Sequence, residues 1–245
     1  TAVGYGNSEE KIGKYLSYRR DEFILSTKCG YFVPGVPDWT GKAIESGIDN
    51  ALKRLNTDVI DIMHFHSCPI DILKKDEIIE ALLRAVENGK IKVAAYSGDN
   101  EELNYAINSG YFGSVQASFS FCDQSVIKNG KEPAVEKGLG FIAKRPLANA
   151  PWRYEQTPDE EKAAEYYHRF IKISEQLSQD LEYNELFVRF AGWTEGVSSI
   201  IFGSTNINNI KKNCQLINKG PLPDDLYNLV RESYKKAEQG WPSII

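Results

Sequence analysis

Short apolar runs with no helical period take turns with amphipathic stretches along almost the whole sequence. From Ser8 to Leu16 a serine with glutamate close behind, then Ile12 and Leu16 four apart, predicts a short helix opened by a capping box. EFILSTK then predicts a strand at 22–27, and VIDIMHF another at 59–65. Between them, Ile44, Ile48, Ala51, Leu52 and Leu55 share one stripe of a helix over 42–55. A helix over 76–88 carries Ile78, Ile79, Leu82, Leu83 and Val86 inward and stops at Gly89, where a left-handed residue is expected. The alternation continues with strands at 91–96, 113–119, 139–143 and 197–202. Helices are expected at 101–108, 125–137, 159–178, 184–194, 206–218 and 223–239, with a loop at 145–158.

Strands that alternate with amphipathic helices form a parallel sheet covered by helices. The 245 residues match the roughly 250 of a (β/α)₈ TIM barrel, and no linker divides them, so residues 1–245 are read as one α/β barrel domain. Six strands are legible where a closed barrel has eight, and the first helix follows almost directly on Thr1. The only methionine is Met63. The expectation is that roughly two strands and the first helix of such a barrel lie upstream of Thr1.

Composition removes several classes of function. No stretch approaches the roughly 18 uninterrupted apolar residues of a membrane helix. Net charge is −5, with 29 basic against 34 acidic residues and no basic run to follow a phosphate backbone, so neither nucleic acid nor membrane is an expected partner. Cys29, Cys68, Cys122 and Cys214 are widely spaced and read as reduced thiols. With no basic-then-apolar leader in view, a cytoplasmic protein is expected.

In parallel α/β folds the working residues gather where strands end. Lys28 ends the first legible strand, His66 the second and Ser97 the third, while Gln116 lies within the fourth. The opening TAVGYGNSEEKIG resembles the aldo-keto reductase segment D-T-A-x-x-Y-G-x-S-E-x-x-(I/L)-G without its leading aspartate. STK at 26–28, DIMHFH at 61–66 and GKIKVAAYSG at 89–98 resemble further segments of that family, in the same order and with similar spacing. The resemblance implies that the family's catalytic Asp, Tyr, Lys and His fall on Tyr5, Lys28 and His66, the aspartate lying one residue before Thr1. The chemistry is coherent: hydride addition to a carbonyl builds negative charge on oxygen, which a phenol relieves by giving its proton. A neighbouring ammonium favours the phenolate left behind, and an imidazole can orient the oxygen.

The same resemblance implies a nicotinamide cofactor, NADP(H) or NAD(H), held without a glycine-rich dinucleotide loop. Ser97 and Gln116 match the residues that bond the nicotinamide carboxamide, and Gly98 stands where the family usually has asparagine. AKRPL at 143–147 replaces A-Y-S-P-L, putting Lys144 in the place of an aromatic and Arg145 in the place of serine, with Pro146 and Leu147 retained. An ammonium is repelled by the oxidised ring and attracted by the diphosphate, which assigns Lys144 to the latter. In IFGSTNINNIKKN at 201–213, Ser204 matches a phosphate site at a helix start and Asn213 an adenine contact. Gly203 and Asn209 occupy the positions of the lysine and arginine that grip a 2′-phosphate, with Lys211 or Lys212 as possible substitutes.

Other readings of these residues stand beside this one. His64 and His66 form an H-x-H pair on one strand face, followed by Cys68, as in metal-dependent barrel hydrolases, although the only other histidine is His168. A nucleotide-binding barrel that regulates or scaffolds without turnover is a second alternative. No metal is implied by the favoured reading. Cys29, Cys68 and Cys122 read as buried, unreactive thiols. Tyr31, Phe32, Trp39 and Trp152 are candidates for the wall of a pocket taking a small carbonyl substrate, or else for ordinary loop packing.

Overall fold

Asp61, at the start of a buried strand, organises the entry into the sheet. Its carboxylate accepts from Arg20 and from the backbone N–H of Leu25, each at 2.7 Å, and pairs with Lys92 at 2.7 Å. Burial opposes its charge, but Lys92, the Leu25 amide and Arg20 hold the carboxyl below its usual range. The computed structural model describes residues 1–177 and 181–244. They form two compact units, the first 1–116 with 137–139 and the second 117–136 with the rest of the chain from 140.

In the first unit α1 (Ser8–Leu16) leads through a 3₁₀ turn at Ser17–Glu22 to β1 (Ser26–Cys29). α2 (Gly41–Leu55), β2 (Ile60–His66), α3 (Ile70–Leu73) and α4 (Asp76–Glu87) follow. Then come β3 (Ile91–Ser97), α5 (Asn100–Ser109) and β4 (Ser114–Ser118), whose last two residues belong to the second unit. β1, β2, β3 and β4 lie side by side in chain order, all parallel. Ile44, Ile48 and Leu55 of α2, Ile78 and Leu82 of α4, and Met63 and Phe65 of β2 are buried, so the predicted stripes are the core faces. α2 starts where Thr40 Oγ1 accepts from Ala43 N at 3.1 Å and ends on left-handed Asn56. At the end of α4, Gly89 takes φ +71°, with its N–H on Val86 O and that of Lys90 on Ala85 O, each at 2.9 Å. These two bonds make the Schellman closure expected of that glycine.

The second unit begins with a π-helical turn at Ile127–Lys131 that runs into α6 (Glu132–Glu136). β5 (Gly140–Lys144), a 3₁₀ turn at Pro151–Arg153, α7 (Glu161–Ser174), α8 (Tyr183–Trp193), β6 (Ser199–Ile201), α9 (Ile207–Ile217) and α10 (Asp224–Ala237) complete it. β5 and β6 are parallel neighbours. The core is aromatic: Phe121 stacks on Phe187 at 4.7 Å, Trp152 meets Phe187 edge-on at 4.7 Å, and Phe119 lies 5.5 Å from Phe190.

Several expected boundaries move. The strand expected at 22–27 starts at Ser26, because Arg20 reaches Phe23 O, Val59 O and Asp61 and keeps the chain before Leu25 out of the ladder. The capping box does not form. Asn7 is the N-cap and makes no side-chain cap bond, while Ser8 is already helical and its hydroxyl turns to Thr1 Oγ1 and Ala2 O. The helix expected at 125–137 is broken into a π turn and a short α-helix, as Pro133 has no N–H to continue an α ladder. The helix expected at 159–178 runs over Glu161–Ser174, opened by Glu160, whose carboxylate accepts from Lys162 N and Ala163 N. Its expected last residue, 178, lies outside the described residues. No helix among the described residues is long and apolar enough to cross a membrane.

Gly13 marks where α1 meets α2: a Cβ there would lie 2.2 Å from Arg54 O and 2.8 Å from the Leu55 carbonyl carbon. These are backbone atoms, so α1 would have to lift. Gly13→Ala is expected to cost about 1–3 kcal/mol by overpacking, read as a lower midpoint in guanidinium unfolding; an unchanged midpoint would show that this helix pair is not tightly packed.

Candidate active site

Tyr5, Lys28 and His66 come from three separate segments of the first unit. Tyr5 sits in a turn closed by its N–H on Ala2 O at 3.0 Å and followed by Gly6 at φ +59°, so its ring stands free of α1 and is 56% exposed. Lys28, one residue before the end of β1, is buried, and its Nζ lies 5.4 Å from the Tyr5 ring centroid. The same ammonium donates to Thr1 O at 3.0 Å. His66, the last residue of β2, meets the Tyr5 ring edge-on at 5.8 Å. The structure thus brings the three together, with an ammonium over the ring of one exposed tyrosine and an imidazole edge-on to it.

Period-two geometry puts His64 on the same strand face as His66, but the two rings have different partners. His64 is buried with its Nε2 3.0 Å from Ser26 Oγ. Burial first, then the Lys28 charge, push its pKa down to about 3, so the ring is neutral. His66 Nδ1 meets the hydroxyl of Tyr31, whose ring lies nearly parallel to the imidazole at 5.4 Å and 26°. Tyr31 counted only as a candidate pocket wall by sequence; nothing in its local pattern signals a bond to a histidine 35 positions away. Among the described residues no group of three or more His, Cys, Asp and Glu is arranged to hold a metal.

Ser97 and Gln116 are register partners on β3 and β4, both buried, with Gln116 Nε2 donating to Ser97 Oγ at 3.2 Å. The adjoining Gly98 has a steric cause. A Cβ there would meet Tyr96 Oη at 2.4 Å, and that phenol is anchored by donating to Cys68 O at 3.2 Å. A side chain at 98 and this placement of Tyr96 exclude each other.

The remaining sequence-predicted positions lie in the second unit, where a cleft of about 640 Å³ is present. Arg145, Leu147, Gly203, Ser204, Asn209 and Asn213 all line it, and Lys144, at the end of β5, does not. After β5 the backbone turns sharply, with Arg145, Ala148, Asn149 and Ala150 all at positive φ. Ser204 Oγ accepts from Asn206 N at 3.1 Å and from Asn209 Nδ2 at 3.3 Å, just ahead of α9. Asn213 is buried, its Oδ1 accepting from Asn184 Nδ2 at 3.1 Å. Arg153 and Lys212 also line the cleft, Lys212 being 3.5 Å from Glu182, while Lys211 is not on its wall. Arg153 carries no motif and was not foreseen; it arrives through the 3₁₀ turn at Pro151–Arg153. Cations, a helix N-terminus and a buried amide together suit an anionic nucleotide end.

Three of the four thiols are buried. Burial raises the pKa of Cys29, Cys68 and Cys122, that of Cys68 to about 12, and Cys214 alone of the four is exposed.

The model of the aldo/keto reductase family matches residues 1–235. An L-galactose dehydrogenase of Arabidopsis thaliana is 25% identical over 227 residues, covering 87% of this chain and 71% of the relative. A Schizosaccharomyces pombe aldo-keto reductase named for NADP(+) is 35% identical over 109 residues, 38% of this chain and 29% of its own. Among solved structures, the holo form of an aldo-keto reductase from Bacillus halodurans superposes with a TM-score of 0.80 at 24% identity, covering 95% of this chain and 79% of that one. That likeness fixes the fold as the parallel (β/α)₈ type of aldo-keto reductases, of which this chain carries six described strands.

The neutral, buried His64 makes stability depend on pH. In the unfolded chain a histidine takes a proton below about pH 6.5, whereas His64 in the folded protein does so only near 3. Its contribution is complete above about pH 6.5 and is lost as the pH falls, at up to about 1.4 kcal/mol per pH unit. Guanidinium unfolding between pH 7 and pH 4 is expected to show a shallower pH slope for His64→Gln than for the wild type; equal slopes would contradict a neutral His64.

Proposed function

Since the chain belongs to the aldo/keto reductase family, and so to the carbonyl-reducing oxidoreductases, we propose that it reduces the aldehyde or ketone of a small molecule with Tyr5 as proton donor. The observation that carries this is the meeting of Lys28 and His66 around the exposed Tyr5 ring. When bound, a nicotinamide cofactor supplies the hydride. As negative charge grows on the carbonyl oxygen, Tyr5 gives up its phenolic proton to it. The Lys28 ammonium stabilises the phenolate that results, which a neutral neighbour could not do. His66 bonds the same oxygen and sets its angle of approach. One family model extends over both compact units, which supports treating residues 1–245 as a single domain of this kind.

The chain's own residues fit such a cofactor. In the first unit the buried Ser97 and Gln116 offer amide and hydroxyl groups to the carboxamide. In the second, Ser204 and Gly203 before α9 suit a phosphate, Asn213 and Leu147 the adenosine, and Arg145 the diphosphate, while Lys144, expected there from sequence, stands off the cleft wall. Asn209 is neutral and bonded to Ser204, whereas Lys212, paired with Glu182 at 3.5 Å, and Arg153 bring positive charge to the cleft wall for a 2′-phosphate. These two favour NADP(H) over NAD(H), in keeping with the name of the S. pombe relative.

Steady-state oxidation of NADPH and NADH with a panel of aldehydes tests the proposal. Tyr5→Phe is expected to lower kcat by about 10²–10⁴-fold, the usual worth of a general acid, with circular dichroism unchanged. Wild-type turnover in that variant would exclude Tyr5 as the donor. For the cofactor, Lys212→Glu is expected to weaken NADPH binding more than NADH binding in a titration of tryptophan fluorescence; equal losses would remove Lys212 from 2′-phosphate recognition.

A further inference from the structure

A neutral imidazole donates from one nitrogen and accepts at the other, so the partner of one nitrogen decides what the other can offer. At His66 that partner is Tyr31, whose hydroxyl meets Nδ1 while its ring lies nearly parallel to the imidazole. The loop that carries Tyr31 is closed on itself. Trp39 N–H donates to Gly30 O at 2.8 Å and Phe32 N–H to Asp38 Oδ1 at 3.1 Å. The Trp39 indole rests on Gly30, where a Cβ would meet it at 2.3 Å and where φ is +134°. Tyr31 is further held edge-on by Phe32 at 4.7 Å and by Trp39 at 5.9 Å. This hydroxyl is therefore placed by a loop whose backbone bonds and ring contacts converge on Tyr31.

We propose that Tyr31 is a positioning residue: its hydroxyl donates to His66 Nδ1 and so holds His66 as the tautomer that carries its hydrogen on Nε2. Burial, then the charges of Tyr5, Asp38 and Cys29, raise the Tyr31 phenol to about 12, so at working pH it keeps the proton it donates. In the opposite arrangement Nδ1–H would donate to the phenol oxygen and Nε2 would offer a lone pair. A lone pair repels a carbonyl oxygen, and repels it more as hydride addition makes that oxygen negative. The inference rests on the reading of His66 as the group that orients the carbonyl, and it assigns to an otherwise ordinary loop tyrosine the choice of which nitrogen can do so.

The tautomer is measurable on the protein without cofactor or substrate, by ¹⁵N–¹H multiple-bond spectra of histidine-labelled protein. The chain has three histidines, and His168→Gln together with His64→Gln identifies the His66 signals by elimination. The expected wild-type pattern is a protonated Nε2 and a bare Nδ1, giving way to two exchanging tautomers in Tyr31→Phe, which keeps the ring and its stacking. In turnover, Tyr31→Phe is expected to lower kcat by roughly tenfold, about the effect of one ordinary hydrogen bond, with KM within a factor of two. A protonated Nδ1 in the wild type, an unmoved tautomer in Tyr31→Phe, or an unchanged kcat beside a shifted tautomer would each overturn the proposal. Full turnover in Tyr5→Phe would instead strike the assignment of the proton donor, since the tautomer spectra do not depend on it.

Discussion

Lys28 lies opposite His64, His66 opposite Ser97, and Ser97 opposite Gln116, so one parallel register carries all the polar side chains that the strands of the first unit bring to the site. Side chains alternate between faces along a strand, and a slip of one residue would turn each of these groups into the opposite layer. The register is held at the entry by the three bonds of Asp61 and at the side by Glu9. That buried carboxylate accepts from Thr27 at 2.5 Å and from Arg54 at 2.7 Å, tying α1, β1 and α2 together. These buried charges thus fix the register of Lys28, His64 and His66, and the apolar stripes behind them supply the burial that keeps the sheet in place.

Much of this was legible in the sequence because the signals were periodic. The stripes of 42–55 and 76–88 became α2 and α4 with boundaries moved by one residue at each site of change, and Gly89 closed its helix as its missing Cβ allows. Legibility failed where a long-range polar contact or a single missing donor overruled local preference. Arg20 held the chain before Leu25 out of the sheet, and Pro133 turned an amphipathic stretch into a π turn. Tyr5, Lys28 and His66 could be named from motifs and strand ends. The bond of Tyr31 to His66 and the place of Arg153 in the cleft could not, as both residues are brought in by loops whose course depends on left-handed residues rather than on pattern.

The second unit builds its cleft by a different device. Its walls come from turns, with four residues at positive φ between Arg145 and Ala150 and a polar knot of Ser204, Asn206 and Asn209 before α9. Of the aromatic core of this unit, Trp152 reaches the cleft wall, and it is backed by Phe187, which it meets edge-on and which stacks on Phe121. Positions that matched a family motif in sequence therefore line a single cleft here, apart from Lys144, which the turn after β5 leaves off its wall.

The packing of Tyr96 against Gly98 bears on how this chain can change over generations. With the phenol in place, no single replacement at 98 can add a side chain there, and shrinking Tyr96 alone would open a void and strip Cys68 O of its donor. The two positions therefore act as one unit of packing, and a change at either calls for a compensating change at the other.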